Sequence, residues 1–231
     1  MTLDYSKHKY ILLQILKDIY SETAIAPYVG FKGGTAALLF YGLSRGSVDL
    51  DFDLLDESKE QVVLEKIQKI VSAYGKMVDS RIKRFNLINI ISYDTQSQNI
   101  KVEVNRRDFG SHYDVQTLLG ISMLVMVRED MFAHKIMAMH ERVGKTSRDI
   151  YDVWFFLKNN WPINKEIVEQ RSSMTYKELL KITAEQLEKF DNHNILVGLG
   201  EFLTESQKDW ARAKLRTETV FLLRARLESE R

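Results

Sequence analysis

Apolar residues near the start of the chain recur at helical spacing. In KYILLQILKDIY (residues 9 to 20), Ile11, Leu12, Ile15, Leu16 and Ile19 share one face, which predicts a helix ending before Pro27. The short apolar run Tyr28 to Phe31 then reads as a strand, broken by Gly33-Gly34-Thr35, and AALLFYGL predicts a second helix. VDLDFDLL alternates strictly, with Val48, Leu50, Phe52 and Leu54 on one face of a strand and Asp49, Asp51 and Asp53 on the other. Val62, Val63, Ile67, Ile70 and Val71 predict a helix within residues 57 to 74. Residues 76 to about 105 read as extended, with RFNLINIISYD and NIKVEVN as antiparallel strands joined by the polar turn DTQSQN. The stretch LLGISMLVMV is apolar without a period that separates strand from helix. Beyond it the pattern is helical, over roughly 128 to 142, 148 to 158, 164 to 170, 175 to 190 and 206 to 228.

This asymmetry predicts an α/β (α+β) architecture, with a mixed sheet and helices in residues 1–120 and a helical unit in 121–231. With 231 residues and 45% hydrophobic content, the chain can bury a substantial core. Its 33 Lys plus Arg nearly cancel 32 Asp plus Glu, so no global field draws it to a polyanion, and such a partner must be held by a local patch. The absence of cysteine excludes disulfides, thiolate metal sites and a cysteine nucleophile. The opening MTLDYSKHKY lacks the apolar core of a signal peptide, and no run approaches the ~20 apolar residues of a membrane span. The expectation is a soluble, cytoplasmic protein with no membrane partner.

Candidate chemistry concentrates at the Gly-Gly-Thr turn and the acidic strand. Paired glycines after a strand allow positive φ and close backbone approach, Thr35 can cap the following helix, and that helix's free N–H groups make a phosphate cradle. Three carboxylates on one strand face repel each other unless a cation lies among them, and oxygen ligands of this kind suit Mg²⁺ or Mn²⁺. In KVEVN the valines turn inward, so Glu103 projects with Lys101 and Asn105 and can complete a three-carboxylate site beside the Asp strand. Two divalent ions there can activate an attacking oxygen and steady a leaving pyrophosphate. The histidines show no zinc-ligand spacing.

These residues resemble the nucleotidyltransferase superfamily, whose pattern is a Gly-Gly or Gly-Ser helix turn, then alternating aspartates, then an acid on a later strand. Within it, FKGGTAALLFYGLSRGSVDLDF is similar to the AbiEii/AbiGii-type toxin family of abortive-infection and toxin–antitoxin systems. The likeness extends to KIMAMHERVGKTSRDIYDVWFFL, through Lys135, Ala138, Arg142, Arg148, Asp149 and Asp152. The resemblance implies a nucleotidyltransferase-like fold and transfer of a nucleoside monophosphate from an NTP to an RNA acceptor, with the tRNA 3′ end most suggested and a cognate antitoxin as a partner. Transfer to a protein or small molecule, or a silent nucleotide-binding module, stays open because one fold hosts all of these. By this carry-over Asp49, Asp51 and Glu103 hold metal, and Gly33, Gly34 and Thr35 hold triphosphate. Lys135 touches phosphate or base, with Ser47, Arg142, Asp149 and Asp152 also among the substrate contacts. Asp51 and Asp53 are the alternative metal pair, since Asp53 continues the alternation.

Several of these residues also have structural readings. Arg148, Asp149 and Asp152 can form an ion-pair network, and Arg45 either touches phosphate or neutralises the acids. Trp154, Phe155, Phe156 and Trp161 read as packing between helices. The basic clusters RIKR (Arg81 to Arg84) and KVEVNRR (Lys101 to Arg107) suit an RNA backbone or plain surface charge, and the same holds for Arg212, Lys214 and Arg216.

Overall fold

The first apolar stripe folds as helix α1 (Tyr5–Ser21), which buries Leu12, Ile15, Leu16, Ile19 and Tyr20. In this computed structural model residues 5–94 and 99–230 are described, so most of the polar turn expected at DTQSQN, and the first four residues, lie outside them. Strand β1 (Val29–Lys32) leads into α2 (Gly33–Tyr41), β2 (Leu50–Leu54), α3 (Glu60–Ser72), β3 (Lys76–Ile82), β4 (Asn86–Ser92) and β5 (Ile100–Asn105). The ambiguous stretch LLGISMLVMV lies in a hairpin of β6 (Tyr113–Leu118) and β7 (Ile121–Met126). Its two-residue turn puts Leu119 and Gly120 at φ 51° and 79°, the left-handed conformation that tight hairpins require.

Helices α4 (Arg128–Arg142), α5 (Arg148–Lys158), α6 (Lys165–Ser172) and α7 (Tyr176–Glu188) follow. The long terminal helix expected over 206 to 228 is α8 (Glu205–Trp210) and α9 (Arg216–Ser229), joined by a π-helical turn at Ala211–Leu215. The chain forms two compact units, one containing Ser47–Met126 and the chain up to Gly42, the other Leu43–Gly46 and the chain from Val127.

The first unit contains the sheet, ordered β3-β4-β5-β2-β1-β7-β6. It is mixed: β2 runs parallel to β5 and β1 parallel to β7, while the other neighbours are antiparallel. One face is apolar, with Phe31, Leu50, Phe52, Val102 and Val104 all buried. The Phe52 ring lies 5.3 Å from Phe31 and 6.2 Å from Tyr20, and burial of each such ring contributes about 1.5–3 kcal/mol. By alternation the other face carries Gly30 and Lys32, Asp51 and Asp53, and Glu103 and Asn105 at adjoining positions of β1, β2 and β5.

The second unit is helical, with α7 and α5 packed on α9 and α4 on α5. Aromatic contacts fill it: Trp154 lies 4.2 Å from Trp210, and Phe156 stacks on Trp161 at 4.1 Å. A Thr175–Glu178 capping box starts α7.

Gly30 is a point where the sheet admits no side chain. A Cβ there would lie 2.2 Å from the Tyr113 ring, whose hydroxyl donates to Asp53 and so fixes the ring in place. Gly30→Ala is expected to destabilise the protein by about 1–3 kcal/mol through overpacking. Chemical denaturation checks this, and the penalty should shrink in a Tyr113→Leu background. Equal penalties in both backgrounds would mean that the ring is not the obstacle.

Candidate active site

The approach to the acidic strand is held by side chains because residues 46–49 precede the β2 ladder and need other partners for their backbone groups. Thr35 donates its hydroxyl to the Asp49 carbonyl, and its oxygen lies 2.9 Å from Ser47 Oγ. His8 is fully buried, with Nε2 3.0 Å from the Val48 carbonyl and Nδ1 2.8 Å from the Tyr93 hydroxyl. Burial lowers the His8 pKa against the opposing Val48 hydrogen bond, which keeps the ring neutral, donating to Val48 and accepting from Tyr93. Tyr5 accepts from the Ser47 amide at 3.3 Å. Thr35 therefore does not cap α2: it is the third residue of that helix, and Lys32 holds the N-cap position without a side-chain cap. Its hydroxyl fixes Asp49 instead.

Gly33 is required at this turn for two reasons. Its φ is +81°, and a Cβ there would fall 2.5 Å from Asp51 Oδ2. The first residue of α2 and the carboxylate of β2 are thus in direct apposition.

Parallel pairing of β2 with β5 sets Asp51 opposite Glu103. Both oxygens of Glu103 have partners: Lys101 Nζ lies 2.7 Å from Oε2, and the Asn86 amide donates to Oε1. Burial disfavours the Lys101 ammonium, yet its pKa is raised, because Asp51, Glu103 and Asp49 together outweigh that cost. Lys101 thus marks a point of negative potential shared by three acids. Among the described residues, no group of three or more His, Asp or Glu side chains already surrounds a common metal position. The donor set fits a hard divalent cation by ligand type, as carboxylate oxygens on adjacent strands, and an ammonium already stands among them.

Asp53 has a different environment. Only 6% exposed, it is held by Lys32 Nζ at 2.5 Å, Asn105 Nδ2 at 2.6 Å and the Tyr113 hydroxyl at 2.5 Å. These donors compensate its charge and tie β1, β5 and β6 to β2. Lys32 and Tyr113 are contacts that the sequence reading missed, since period-2 alternation shows which way a side chain points and not which strands are neighbours.

The remaining predicted site residues meet in the helical unit. Arg45 forks onto Asp152, with Nε 2.6 Å from Oδ1 and Nη2 2.7 Å from Oδ2, while Nη1 donates to the Gly46 carbonyl. All three donor groups are thereby engaged, and Arg45 neutralises Asp152 rather than the β2 acids. Lys135 lies 2.8 Å from Asp152 Oδ2 and 3.3 Å from Asp149 Oδ1. Arg142, two turns along α4, forms an ion pair with Asp149 Oδ2 at 2.8 Å. Asp149 thus bridges the two cations of α4. Among the described residues Arg148 has no ion-pair partner, and its guanidinium lies over the Phe202 ring at 5.4 Å.

Asp152 is fully buried. Burial alone would raise its pKa, but Arg45 and then Lys135 overcome that and hold it at about 2, below the usual 3.8. Lys135 is raised in turn, because Asp152 and Asp149 outweigh its burial.

Comparisons with known proteins agree with this architecture. The AbiEii family, described as "Nucleotidyl transferase AbiEii toxin, Type IV TA system", matches residues 14–222. Over 115 residues, 48% of the chain, the sequence is 30% identical to "Uncharacterized protein MG414 homolog" of Mycoplasma pneumoniae, and the chain covers only 11% of that protein's length. A putative nucleotidyltransferase from H. pylori shares 20% identity at a TM-score of 0.58, with 100% of this chain and 99% of that one covered. JHP933 from Helicobacter pylori shares 19% at a TM-score of 0.57, covering 100% and 96%. At these identities the likeness is one of fold, and the mixed sheet with its helices is a nucleotidyltransferase-like fold.

Breaking the Arg45–Asp152–Lys135 cluster should be costly, because it leaves buried cations uncompensated. Asp152→Asn is expected to lower stability by about 3–5 kcal/mol, read from the denaturant midpoint. In the wild type, a carboxylate held below its unfolded pKa adds stability that is complete above about pH 4 and fades as pH falls towards 2, on the order of 2 kcal/mol. Wild-type and Asp152→Asn proteins losing stability in parallel across that window would contradict this assignment.

Proposed function

The chain belongs to the AbiEii family of nucleotidyl transferase toxins of type IV toxin–antitoxin systems, and from that premise we propose that it transfers a nucleoside monophosphate from an NTP to an RNA hydroxyl. The observation that carries this reading is the placement of Asp51 beside Glu103 on paired strands, with the Gly33 turn packed against the Asp51 carboxylate. That arrangement supplies acids and a close backbone approach at one place.

In this reading Asp49, Asp51 and Glu103 hold Mg²⁺ or Mn²⁺. The bound metal would supply charge neutralisation for the phosphates and acidify the attacking hydroxyl. Gly33 and Gly34 present the backbone N–H groups of the first turn of α2 to the phosphates. Thr35 and Ser47 act through Asp49, whose backbone they fix. The acceptor oxygen forms the new bond to the α-phosphorus, the bond from that phosphorus to the α–β bridging oxygen breaks, and pyrophosphate leaves. The acceptor's proton passes to solvent or a nearby carboxylate. Asp53 stays out of this chemistry because its oxygens are taken by Lys32, Asn105 and Tyr113. Lys135 and Arg45 are held charges of the helical unit, and Arg142 has about half its side chain exposed (48%).

The RNA acceptor, with a tRNA 3′ end first among candidates, rests on the family and on basic side chains in the β3–β4 turn and after β5. A cognate antitoxin is the partner that a type IV system implies. No described helix is long and apolar enough to cross a membrane.

Purified protein incubated with total RNA, Mg²⁺ and each α-labelled NTP in turn tests the proposal. RNase-sensitive label is expected with at least one NTP. Asp49→Asn and Asp51→Asn should each lower it about 100-fold or more, the scale of losing several kcal/mol of charge stabilisation. Label that follows protein or a small molecule after RNase treatment would overturn the RNA acceptor, and undiminished labelling by Asp51→Asn would overturn the metal assignment. Wild type that binds NTP but labels nothing would favour a silent binding module.

A further inference from the structure

Beyond the acids, the first unit carries a surface cluster of cations and aromatic rings, and the rings have no part in the proposed transfer. The β3–β4 turn presents Arg84 and Phe85, and the segment after β5 presents Arg107 and Phe109. The Arg84 guanidinium lies 4.9 Å from the Phe85 ring, Arg107 lies 5.2 Å from the same ring, and Arg107 also lies 5.4 Å from Phe109. Four groups thus follow one another at cation–π distances.

The cluster is built on a rigid base. Arg106 is spent on fixing it: Nε pairs with Glu60 at 2.6 Å, Nη1 donates to the Lys83 carbonyl at 3.2 Å, and the backbone amide donates to Phe85 at 2.8 Å. Arg107 Nε donates to Asn105 Oδ1 at 3.2 Å, and Asn105 is itself bound to Asp53. The charge is not neutralised: among the described residues neither Arg84 nor Arg107 has a carboxylate partner. The nearby Asp108 side chain accepts from the Gly110 amide. Phe85 remains 42% exposed, an apolar ring held at the surface beside two cations.

A purely electrostatic surface needs no aromatic rings, and a purely apolar docking patch would not carry two unpaired guanidiniums. Rings and guanidinium planes together offer stacking surfaces to nucleobases and charge to the phosphates between them. A duplex keeps its bases stacked on each other and offers only the charge term. We propose that Arg84, Phe85, Arg107 and Phe109 form a stacking ladder that binds single-stranded nucleic acid, and that an acceptor strand is held there as it leads to the carboxylates of β2 and β5. This deepens the RNA-acceptor reading and rests on it for its biological sense, while the binding itself is independent of transfer.

Fluorescence anisotropy with a labelled single-stranded RNA oligonucleotide, in the absence of NTP and divalent metal, tests the ladder. Wild type is expected to bind, with a duplex of the same sequence bound at least about fivefold more weakly. Phe85→Leu and Phe109→Leu, which keep an apolar side chain, should each weaken binding by about fivefold or more without changing the salt dependence. Arg84→Gln and Arg107→Gln should weaken it and reduce the salt slope by about 0.7 each. Thermal melting identifies any variant that fails to fold. Wild-type affinity in both Phe variants, equal binding of the duplex, or equally effective competition by polyglutamate would overturn the proposal. Asp51→Asn should bind the oligonucleotide like wild type while losing transfer, so undiminished transfer by that variant counts against the metal assignment and not against the ladder.

Discussion

Repulsion among acids on one face of a sheet is the constraint around which this protein is arranged. β2 and β5 run side by side in a register that sets Asp51 against Glu103 and Asp53 against Asn105. Like charges at adjoining strand positions destabilise a sheet unless each has a donor or counter-charge. The chain meets this requirement in two ways. Asp53 is closed off by a lysine, an amide and a hydroxyl from three other strands. Glu103, Asp51 and Asp49 share the field of Lys101, a longer side chain that is about one third exposed. The first arrangement fixes the sheet, and the second leaves a negative site, which is where the proposed divalent cation would bind.

Charges in the helical unit follow the opposite design. Asp152 is fully buried and is forked by Arg45, while Asp149 bridges Lys135 and Arg142 from one helix. Removing a charge from water costs several kcal/mol, which only several simultaneous short contacts offset. A cluster meeting that demand has little freedom to exchange partners. Residues that look like a phosphate-binding set in sequence thus also hold helices α4 and α5 to the segment around Arg45.

Much of this was legible in the sequence because the signals were periodic. The helical stripe of α1, the alternation of β2 and the change from period 2 to period 3.6 near residue 127 follow from side-chain direction alone. The β6–β7 hairpin was not resolved in advance, since a short apolar run buries equally well in either conformation and its turn places an unusual leucine at positive φ. Strand order was hidden too, and with it the partners of Asp53: Lys32 and Tyr113 lie far from it in sequence and become neighbours only once β1 and β6 take their places. The three aspartates look equivalent as text, and only their surroundings separate them. The break in the last helix is likewise invisible, because one extra residue in a π-helical turn leaves the apolar pattern almost intact.

The central claim is a division of labour between neighbouring acids, in which Asp51 serves a metal–nucleotide complex and Asp53 serves the fold. Electron paramagnetic resonance of Mn²⁺ titrated into the protein with a non-hydrolysable NTP analogue addresses it directly, without turnover. The account predicts that folded Asp53→Asn still binds the Mn²⁺–nucleotide complex although its thermal stability is lower, while Asp51→Asn stays folded and loses that binding. Wild-type binding by Asp51→Asn, or loss of binding by a folded Asp53→Asn, would contradict it.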